Sequence, residues 1–263
     1  MASSPPLVVL PTSRLGATQR IDRWWVGPLS VAVGLAVCGG YATWAIFQGS
    51  NYYADPYLSP FYSPCLAAQC PAEVRLLGIT WWPFSPAVLI MAAILGFRGT
   101  CYYYRKAYYR AYFLDPPACA VEEHRGGRYR GETAFPWILQ NFHRYFLYLS
   151  VIILAFLWYD TLHAFRFEDG FGIGLGSIVL LVNVVLLSGY LFGCHSLRHL
   201  IGGRRDCYSC VRFPAARHGA WRISSIFNRN HMLWAWTSLV FVCLTDLYVR
   251  LVAMGVLSDP RLI

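Results

Sequence analysis

Cysteine and histidine side chains are concentrated where long apolar segments of the chain begin or end. Cys194, His195 and His199 follow one such segment, and His143 and His231 lie near the start of two others. Thiolate and imidazole groups are ligands that suit transition metals and iron–sulfur clusters. If the apolar segments cross a membrane, all five residues should lie at one depth, which indicates redox chemistry rather than passive anchoring.

The spacing of the histidines is compatible with a shared layer of ligands. His195 and His199 are four residues apart, so they share one helix face if the fourth helix continues past Cys194. His143 lies about two turns into the third apolar segment, and His231 opens the fifth. A single histidine at a helix end is usually a hydrogen-bonded interface residue. Four of them on three helices at one depth favour a ligand role for at least two.

The other cysteines divide by the side of the membrane on which we expect them. Cys207 and Cys210 form a C-x-x-C pair on the reducing side, where a metal or redox role is favoured over a disulfide. Cys65 and Cys70 lie on the opposite side, where an oxidising compartment permits a disulfide. The alternative there is a second metal site, made by Cys65, Cys70, His163 and Asp246. Three cysteines inside apolar segments are most simply small buried hydrophobic residues: Cys38, Cys101 and Cys243.

Two redox cofactors suit this set of ligands. Haem b takes two opposed imidazoles, whereas a Rieske-type [2Fe–2S] cluster takes two histidines on one iron and two cysteines on the other. Zinc also binds cysteine and histidine, but it would leave His143 and His231 without a role. The candidate cofactor ligands are His143, Cys194, His195, His199 and His231, and the candidate metal ligands also include Cys207 and Cys210.

The same ends of the apolar segments could form a quinone pocket, which needs hydrogen-bond donors for the carbonyl oxygens and aromatic walls. The candidates are His143, Arg144, Tyr145, Arg198 and Trp234. Taken singly, each of these side chains would serve equally well as an anchor at the membrane interface.

Membrane-spanning helices must position these residues. The chain has 263 residues, of which 57% are hydrophobic and only 13% are charged, whereas soluble domains carry roughly 25% charged residues. Five segments approach the length of about 20 residues that a bilayer requires: roughly 28–48, 86–104, 136–159, 171–192 and 232–252. Arg98 interrupts the second segment, which still spans if this side chain reaches to the interface. The sequence therefore predicts an all-α integral membrane bundle of about five transmembrane helices.

The distribution of positive charge predicts the orientation of this bundle. The net charge is +9, and most lysines and arginines fall in the ranges 14–23, 98–130 and 198–229. Positive residues accumulate in cytoplasmic loops, so the pattern predicts a cytoplasmic N-terminus and argues against a nucleic-acid partner. We divide the chain into a cytoplasmic segment, 1–27, which lacks the features of a cleavable signal peptide, and a single transmembrane helical domain, 28–263.

Several sequence strings resemble a known family. They include Ile21 to Trp25, Pro56 to Cys65, Cys101 to Arg110, Pro136 to His143, Cys194 to His199 and Asp246 to Arg250. The chain resembles the membrane-anchor subunit, of cytochrome b type, of actinobacterial-type succinate dehydrogenase or fumarate reductase, which is respiratory complex II. The resemblance extends from about residue 20 to residue 252.

The resemblance implies a multi-pass protein of the bacterial cytoplasmic membrane, surrounded by lipid. It also implies a flavoprotein partner that oxidises succinate and an iron–sulfur subunit docked on the basic cytoplasmic loops. A further small membrane subunit or a homo-oligomer of the complex would fit as well. Electrons would pass to menaquinone or ubiquinone through a Rieske-type cluster, which mycobacterial relatives carry, or through one haem b.

Single-subunit anchors with two haems take histidines from four helices. Here the first two apolar segments contain no histidine, so that pattern is absent. The alternative within the same complex is a structural anchor that holds no cofactor.

Overall fold

The computed structural model describes residues 14–123, 131–203 and 206–263. The first 13 residues of the predicted cytoplasmic segment, and residues 124–130 and 204–205 of the two predicted basic loops, lie outside the described residues. The described part contains eight α-helices: α1 (Val26–Gln48), α2 (Pro86–Gly99), α3 (Tyr102–Tyr108), α4 (His143–His163), α5 (Leu175–Phe192), α6 (His195–Gly202), α7 (Pro214–Arg229) and α8 (His231–Ala253).

The long apolar helices form the predicted membrane bundle. In the described residues, α1, α5, α8 and the helical stretch Trp137–His163 that includes α4 are each long and apolar enough to cross a membrane. A fifth span results if α2 is counted together with the bent helical segment that follows it. The prediction of an all-α bundle of about five transmembrane helices is therefore confirmed.

The second predicted span, 86–104, is wrong as one continuous helix. The helix α2 ends at Gly99, and the chain turns by 78° into the segment Tyr102–Phe113. Cys101 between them adopts an extended backbone conformation. The turn is stabilised from another part of the bundle, because the Tyr104 hydroxyl donates a hydrogen bond of 2.7 Å to the carbonyl of Ala235 in α8.

The other predicted spans differ from the structure mainly at their ends. The helices α1 and α8 begin within two residues of the predicted positions. The chain preceding α4 is a 3-10 helix, Trp137–Phe142, and α4 itself continues to His163. The helix α5 begins only at Leu175, because Phe171 is paired with Arg166 in a short strand and Gly174 has an extended backbone.

The predicted loop 193–231 contains two helices that the hydrophobic segments do not reveal. The helix α5 stops at Phe192, so α6 is a separate helix rather than a continuation of the fourth span. The next helix, α7, lies against α6, and the Ser224 hydroxyl of α7 bonds to the Phe192 carbonyl at 2.9 Å. Both helices thus cover the end of the bundle that carries His143 and His231, which we call the inner end.

The opposite, outer end is covered by the folded loop between α1 and α2 and by the shorter turn between α4 and α5, both of which contain short strands. The Cys65–Cys70 disulfide closes part of the longer loop, in agreement with the disulfide alternative for these two cysteines. The strands are β1 (Tyr53–Ala54), β2 (Tyr57–Leu58), β3 (Cys65–Ala67), β4 (Arg75–Ile79), β5 (Arg166–Phe167) and β6 (Gly170–Phe171). The pairs β1–β2 and β5–β6 are antiparallel, and β3–β4 is parallel.

A buried ion pair connects the outer loop to two helices. Asp246 and Arg250 of α8 are almost fully buried and pair at 2.7 Å. Tyr41 of α1 donates a hydrogen bond of 2.6 Å to Asp246, and Ser59 of the loop also donates to this carboxylate. Because Asp246 has these partners and both loop cysteines are bonded to each other, the hypothesis of an outer metal site is wrong.

Close packing of α5 against α8 depends on a glycine. The helix α5 packs along α8, and α4 packs against both α2 and α5. A Cβ atom added at Gly189 of α5 would come within 2.6 Å of the Trp234 ring of α8. Only glycine therefore permits this approach, which brings the first turn of α8 close to the ends of α4 and α5.

Candidate redox-cofactor site

Two cysteines and two histidines meet at the inner end of the bundle. The Nε2 atom of His143 lies 3.3 Å from the Sγ atom of Cys194. The Nε2 atom of His231 lies 3.8 Å from the Sγ atom of Cys101. Cys101, His143 and Cys194 are buried, and His231 is partly buried. We call these four residues the Cys–His group.

Each member of the Cys–His group stands where a helix begins. Cys101 and Cys194 are the extended residues just before α3 and α6. His143 and His231 are the first residues of α4 and α8. At Cys194 the backbone N–H groups of Ser196 and Leu197, at the start of α6, favour a negative charge on the sulfur. The backbone at Cys194 is therefore compatible with a thiolate.

Thr100 determines which nitrogen of His143 is free to bind a metal. The Thr100 hydroxyl donates to the Gly96 carbonyl at 2.6 Å, and its oxygen lies 3.0 Å from Nδ1 of His143. Since the hydroxyl proton is already used, Nδ1–H donates and Nε2 keeps its lone pair. Phe97 stacks on the imidazole at 4.6 Å and holds its plane. This is the arrangement in which an outer partner orients a histidine ligand.

Several buried polar atoms around the group lack partners. Nδ1 of His231 and the hydroxyl of Tyr190 have no hydrogen-bond partner, although Tyr190 stacks on His231 at 5.0 Å. Burial raises the pKa of the Cys194 thiol to about 11, so in the absence of a metal this group is a neutral donor to His143. Buried polar groups without partners are uncommon in native folds. Here they are consistent with a cofactor that uses them.

The Cys–His group lines a cavity of about 320 Å³. Its wall includes several residues predicted as ligands or as quinone contacts: His143, Arg144, Tyr145, Cys194, His195, His199 and His231. Neither Arg198 nor Trp234 is among its lining residues. The guanidinium of Arg198 bonds to Ser225, and Trp234 packs on Phe227 and Gly189. These two side chains therefore lie outside the site that the other predicted residues share.

The prediction for Cys207 and Cys210 is corrected by the structure. The two sulfur atoms form a disulfide in the exposed segment between α6 and α7. Bonded sulfurs are not thiolate ligands, and the local three-residue spacing brings them to each other rather than to the Cys–His group.

Sequence reasoning missed Cys101. It lies inside the apolar stretch that was interpreted as one helix, where a cysteine is normally a packing residue. The detectable signal is local: Gly96 and Gly99 weaken the helix directly before Cys101. A break there turns a buried cysteine into a residue at a helix start.

The close contacts form two mixed pairs, each of one cysteine and one histidine, rather than a single-ion site. In the described ranges, no group of three or more histidine, cysteine, aspartate or glutamate side chains could hold one metal ion. A two-iron cluster needs only two protein ligands for each iron. Two cysteines and two histidines match that requirement in number and type.

The fold and the site together define a multi-pass membrane protein with a buried set of cofactor-type ligands at one end. The family model of the actinobacterial succinate dehydrogenase subunit SdhC matches residues 26–255. The chain therefore belongs to this family and is a membrane-anchor subunit of succinate dehydrogenase.

A solved structure supports the same conclusion. The chain is similar to a chain of the Mycobacterium smegmatis Sdh1 complex in the apo form, with 44% sequence identity and a TM-score of 0.86. The match covers 98% of each of the two chains. A comparison with curated protein sequences finds no significant match.

Proposed function

We propose that this anchor subunit carries electrons from the iron–sulfur subunit of the complex to a membrane quinone, using a Rieske-type [2Fe–2S] cluster. The observation that supports the proposal is the Cys–His group itself. Two thiols and two imidazoles from separate helices meet in one buried site, and this is the ligand set of a Rieske-type centre.

The residues present fit such a cluster. Cys101 and Cys194 would supply the two thiolates, and His143 and His231 the two imidazoles. When bound, the cluster accepts and releases one electron at a time. The protein holds the Nε2 lone pair of His143 free through Thr100 and leaves Nδ1 of His231 without a competing partner. A single haem b would use the two histidines but would leave the two buried thiols unused.

The inner surface fits the docking of a soluble electron donor. The helix α7 contains Arg217, Arg222 and Arg229 and no acidic residue. Basic surfaces of this kind attract an acidic partner and increase its association rate. We propose that the iron–sulfur subunit docks here, that this face is cytoplasmic in the bacterial membrane, and that menaquinone or ubiquinone is the electron acceptor.

The test is cofactor analysis of the purified complex. We expect Cys101→Ala and Cys194→Ala each to remove two iron and two acid-labile sulfide atoms per complex, the content of one such cluster. Its electron paramagnetic resonance signal should disappear as well. Cys243→Ala is the matched control, because Cys243 is also a buried cysteine but lies in the middle of α8.

Three outcomes separate the alternatives. Loss of iron, sulfide and signal in the two variants, with the control unchanged, supports the proposal. Loss of haem absorption in His143→Ala and His231→Ala, with no effect of the cysteine variants, would instead identify haem b. Unchanged cofactor content in all four variants would support the remaining alternative, which is a structural anchor that holds no cofactor.

A further inference from the structure

We propose that the Cys207–Cys210 disulfide is a reversible thiol–disulfide exchange site, which a dithiol protein of the cytoplasm reduces and reoxidises. The proposal concerns two sulfur atoms that take no part in the Cys–His group. It rests on the proposed function in one respect, which is the assignment of the inner end of the bundle to the cytoplasm. Its consequence is local, because this bond constrains the contact between α6 and α7.

The structure describes two disulfides, and their surroundings differ. Cys65 and Cys70 are each only 1% exposed and lie at the outer end, where oxidising conditions preserve such bonds. Cys210 is exposed and Cys207 is partly exposed, and both lie at the inner end. Disulfides are rare in the reducing cytoplasm, where those that occur are usually transient and either catalytic or redox-sensing. The exposed pair therefore lies where a disulfide is expected to turn over.

The spacing and the local charge of the pair favour thiol chemistry. The sequence Cys207-Tyr208-Ser209-Cys210 has the C-x-x-C spacing of disulfide oxidoreductases. Positive charge near a cysteine stabilises the reactive thiolate, and residues 206–229 include four arginines but one acidic residue, Asp206. The nearest arginine in sequence, Arg212, stacks on the Phe213 ring at 5.0 Å and forms no ion pair within the described residues.

The surroundings of the two sulfur atoms indicate which of them is attacked. Cys210 is the more exposed residue, so a thiolate of the incoming protein bonds to its Sγ atom, the disulfide breaks, and Cys207 leaves as a thiolate. The Ser209 hydroxyl lies 3.1 Å from Sγ of Cys207. Because this sulfur carries no proton in the disulfide, the hydroxyl is the donor, and it can stabilise the departing thiolate. A better stabilised thiolate leaves faster.

A second exchange completes the reaction. The other thiol of the incoming protein attacks that protein's own sulfur in the mixed disulfide and releases Cys210. In total, the anchor subunit gains two electrons and two protons, and the incoming protein loses the same number and becomes a disulfide. The reverse reaction with the oxidised protein restores the bond. The ratio of its two forms therefore sets the fraction of the anchor subunit that carries the disulfide.

The disulfide constrains a residue that packs between α6 and α7. Tyr208 lies within the four-residue ring that the bond closes. The Tyr208 ring is 5.2 Å from the His218 ring and 6.2 Å from the Trp221 ring, both of α7. Its hydroxyl lies so close to Gly202 of α6 that a Cβ atom added there would collide with it. Reduction opens the ring and gives this segment more conformations.

Other contacts keep the two helices together when the bond is open. Arg198 of α6 stacks on Trp221 at 5.1 Å and donates to the Ser225 hydroxyl at 3.0 Å. Arg217 of α7 donates to the Ile201 carbonyl. Reduction should therefore loosen the Tyr208 contact without separating α6 from α7.

The experiment compares the two disulfides within one molecule. The purified succinate dehydrogenase complex is titrated with dithiothreitol, free thiols are trapped by alkylation, and each cysteine is quantified by mass spectrometry. We expect Cys207–Cys210 to be half reduced at a dithiothreitol concentration about tenfold lower than Cys65–Cys70 requires, or lower still. A bacterial thioredoxin, kept reduced by its reductase and NADPH, should reduce the exposed pair and leave the buried pair intact. Oxidised thioredoxin should restore the bond.

Variants test the mechanism and its consequence. Ser209→Ala should slow reduction by thioredoxin about fivefold, the factor that one hydrogen bond typically provides. Hydrogen–deuterium exchange of residues 206–221 should be faster after reduction of the wild type. The double variant Cys207→Ser, Cys210→Ser should show the faster exchange with and without reductant. Cys119→Ser is the matched control, because it removes another exposed cysteine and should respond to reductant like the wild type.

The exchange site is refuted if both disulfides need the same dithiothreitol concentration, or if thioredoxin leaves Cys207–Cys210 oxidised. Unchanged hydrogen exchange after reduction would refute the link to the contact between α6 and α7. Failure of the proposed orientation gives a different result. In that case a membrane-impermeant phosphine reduces Cys207–Cys210 in intact spheroplasts and not in inverted vesicles, which excludes a cytoplasmic partner.

Discussion

The hydrogen bond between Thr100 and His143 provides a direct test of how the protein prepares a metal ligand. Thr100→Val replaces the hydroxyl by a methyl group of similar size. The Gly96 carbonyl keeps a partner, because the backbone N–H of Thr100 also donates to it at 3.0 Å. The main loss is therefore the acceptor for Nδ1–H of His143, which is left buried and unsatisfied.

The size of the effect follows from that unsatisfied donor. Leaving a buried donor without a partner costs about 1–3 kcal/mol. At about 1.4 kcal/mol for each factor of ten, cofactor retention should weaken by about 5- to 150-fold. The loss of an outer partner of a metal ligand typically costs about 10- to 100-fold in affinity, so the two estimates agree.

The assay is competition for iron by a chelator, followed through the electron paramagnetic resonance signal of the proposed cluster. We expect Thr100→Val to lose its signal at a lower chelator concentration than the wild type. Thr161→Val is the matched control, because the buried Thr161 hydroxyl bonds to its own helix at Leu157 and to no histidine. Equal chelator sensitivity of Thr100→Val and the wild type would refute the reasoning that Thr100 selects the binding nitrogen.

Three further predictions concern the fold. Asp246→Ala removes one partner of a buried ion pair and should destabilise the bundle by about 3–5 kcal/mol, seen as a lower midpoint of thermal unfolding in detergent. Asp169→Ala, which breaks an exposed pair, should leave that midpoint unchanged, and equal effects would contradict the argument from burial. Opening the Cys65–Cys70 loop by Cys65→Ser should cost on the order of 2 kcal/mol, because the loop is short; without reductant, alkylation of the wild type at either cysteine would disprove the bond. The exposed thiol of Cys119 should react with an impermeant maleimide in inverted membrane vesicles and not in intact spheroplasts, and the reverse result would invert the predicted orientation.

Local sequence features accounted for most of the bundle. The spans α1 and α8 were predicted to within two residues at either end, because a long apolar segment needs only its own backbone hydrogen bonds to cross a membrane. The prediction of the second span as one helix was wrong because its shape does not depend on its own segment alone. Its break between Gly99 and Tyr102 depends partly on a hydrogen bond from Tyr104 to Ala235, which is 131 residues away in sequence. No hydrophobic pattern reports such a contact.

The candidate site also divides into features that follow from local sequence and features that depend on long-range contacts. The sequence by itself determined that histidines and a cysteine would lie at the inner end, since their positions relative to the apolar segments set their depth. Only the tertiary structure decided which of them meet. It brought Cys101 to His231, turned Cys207 and Cys210 toward each other, and placed Arg98 against a central cavity. Depth in a membrane is a property of one helix, whereas a ligand set is a property of how several helices break and pack.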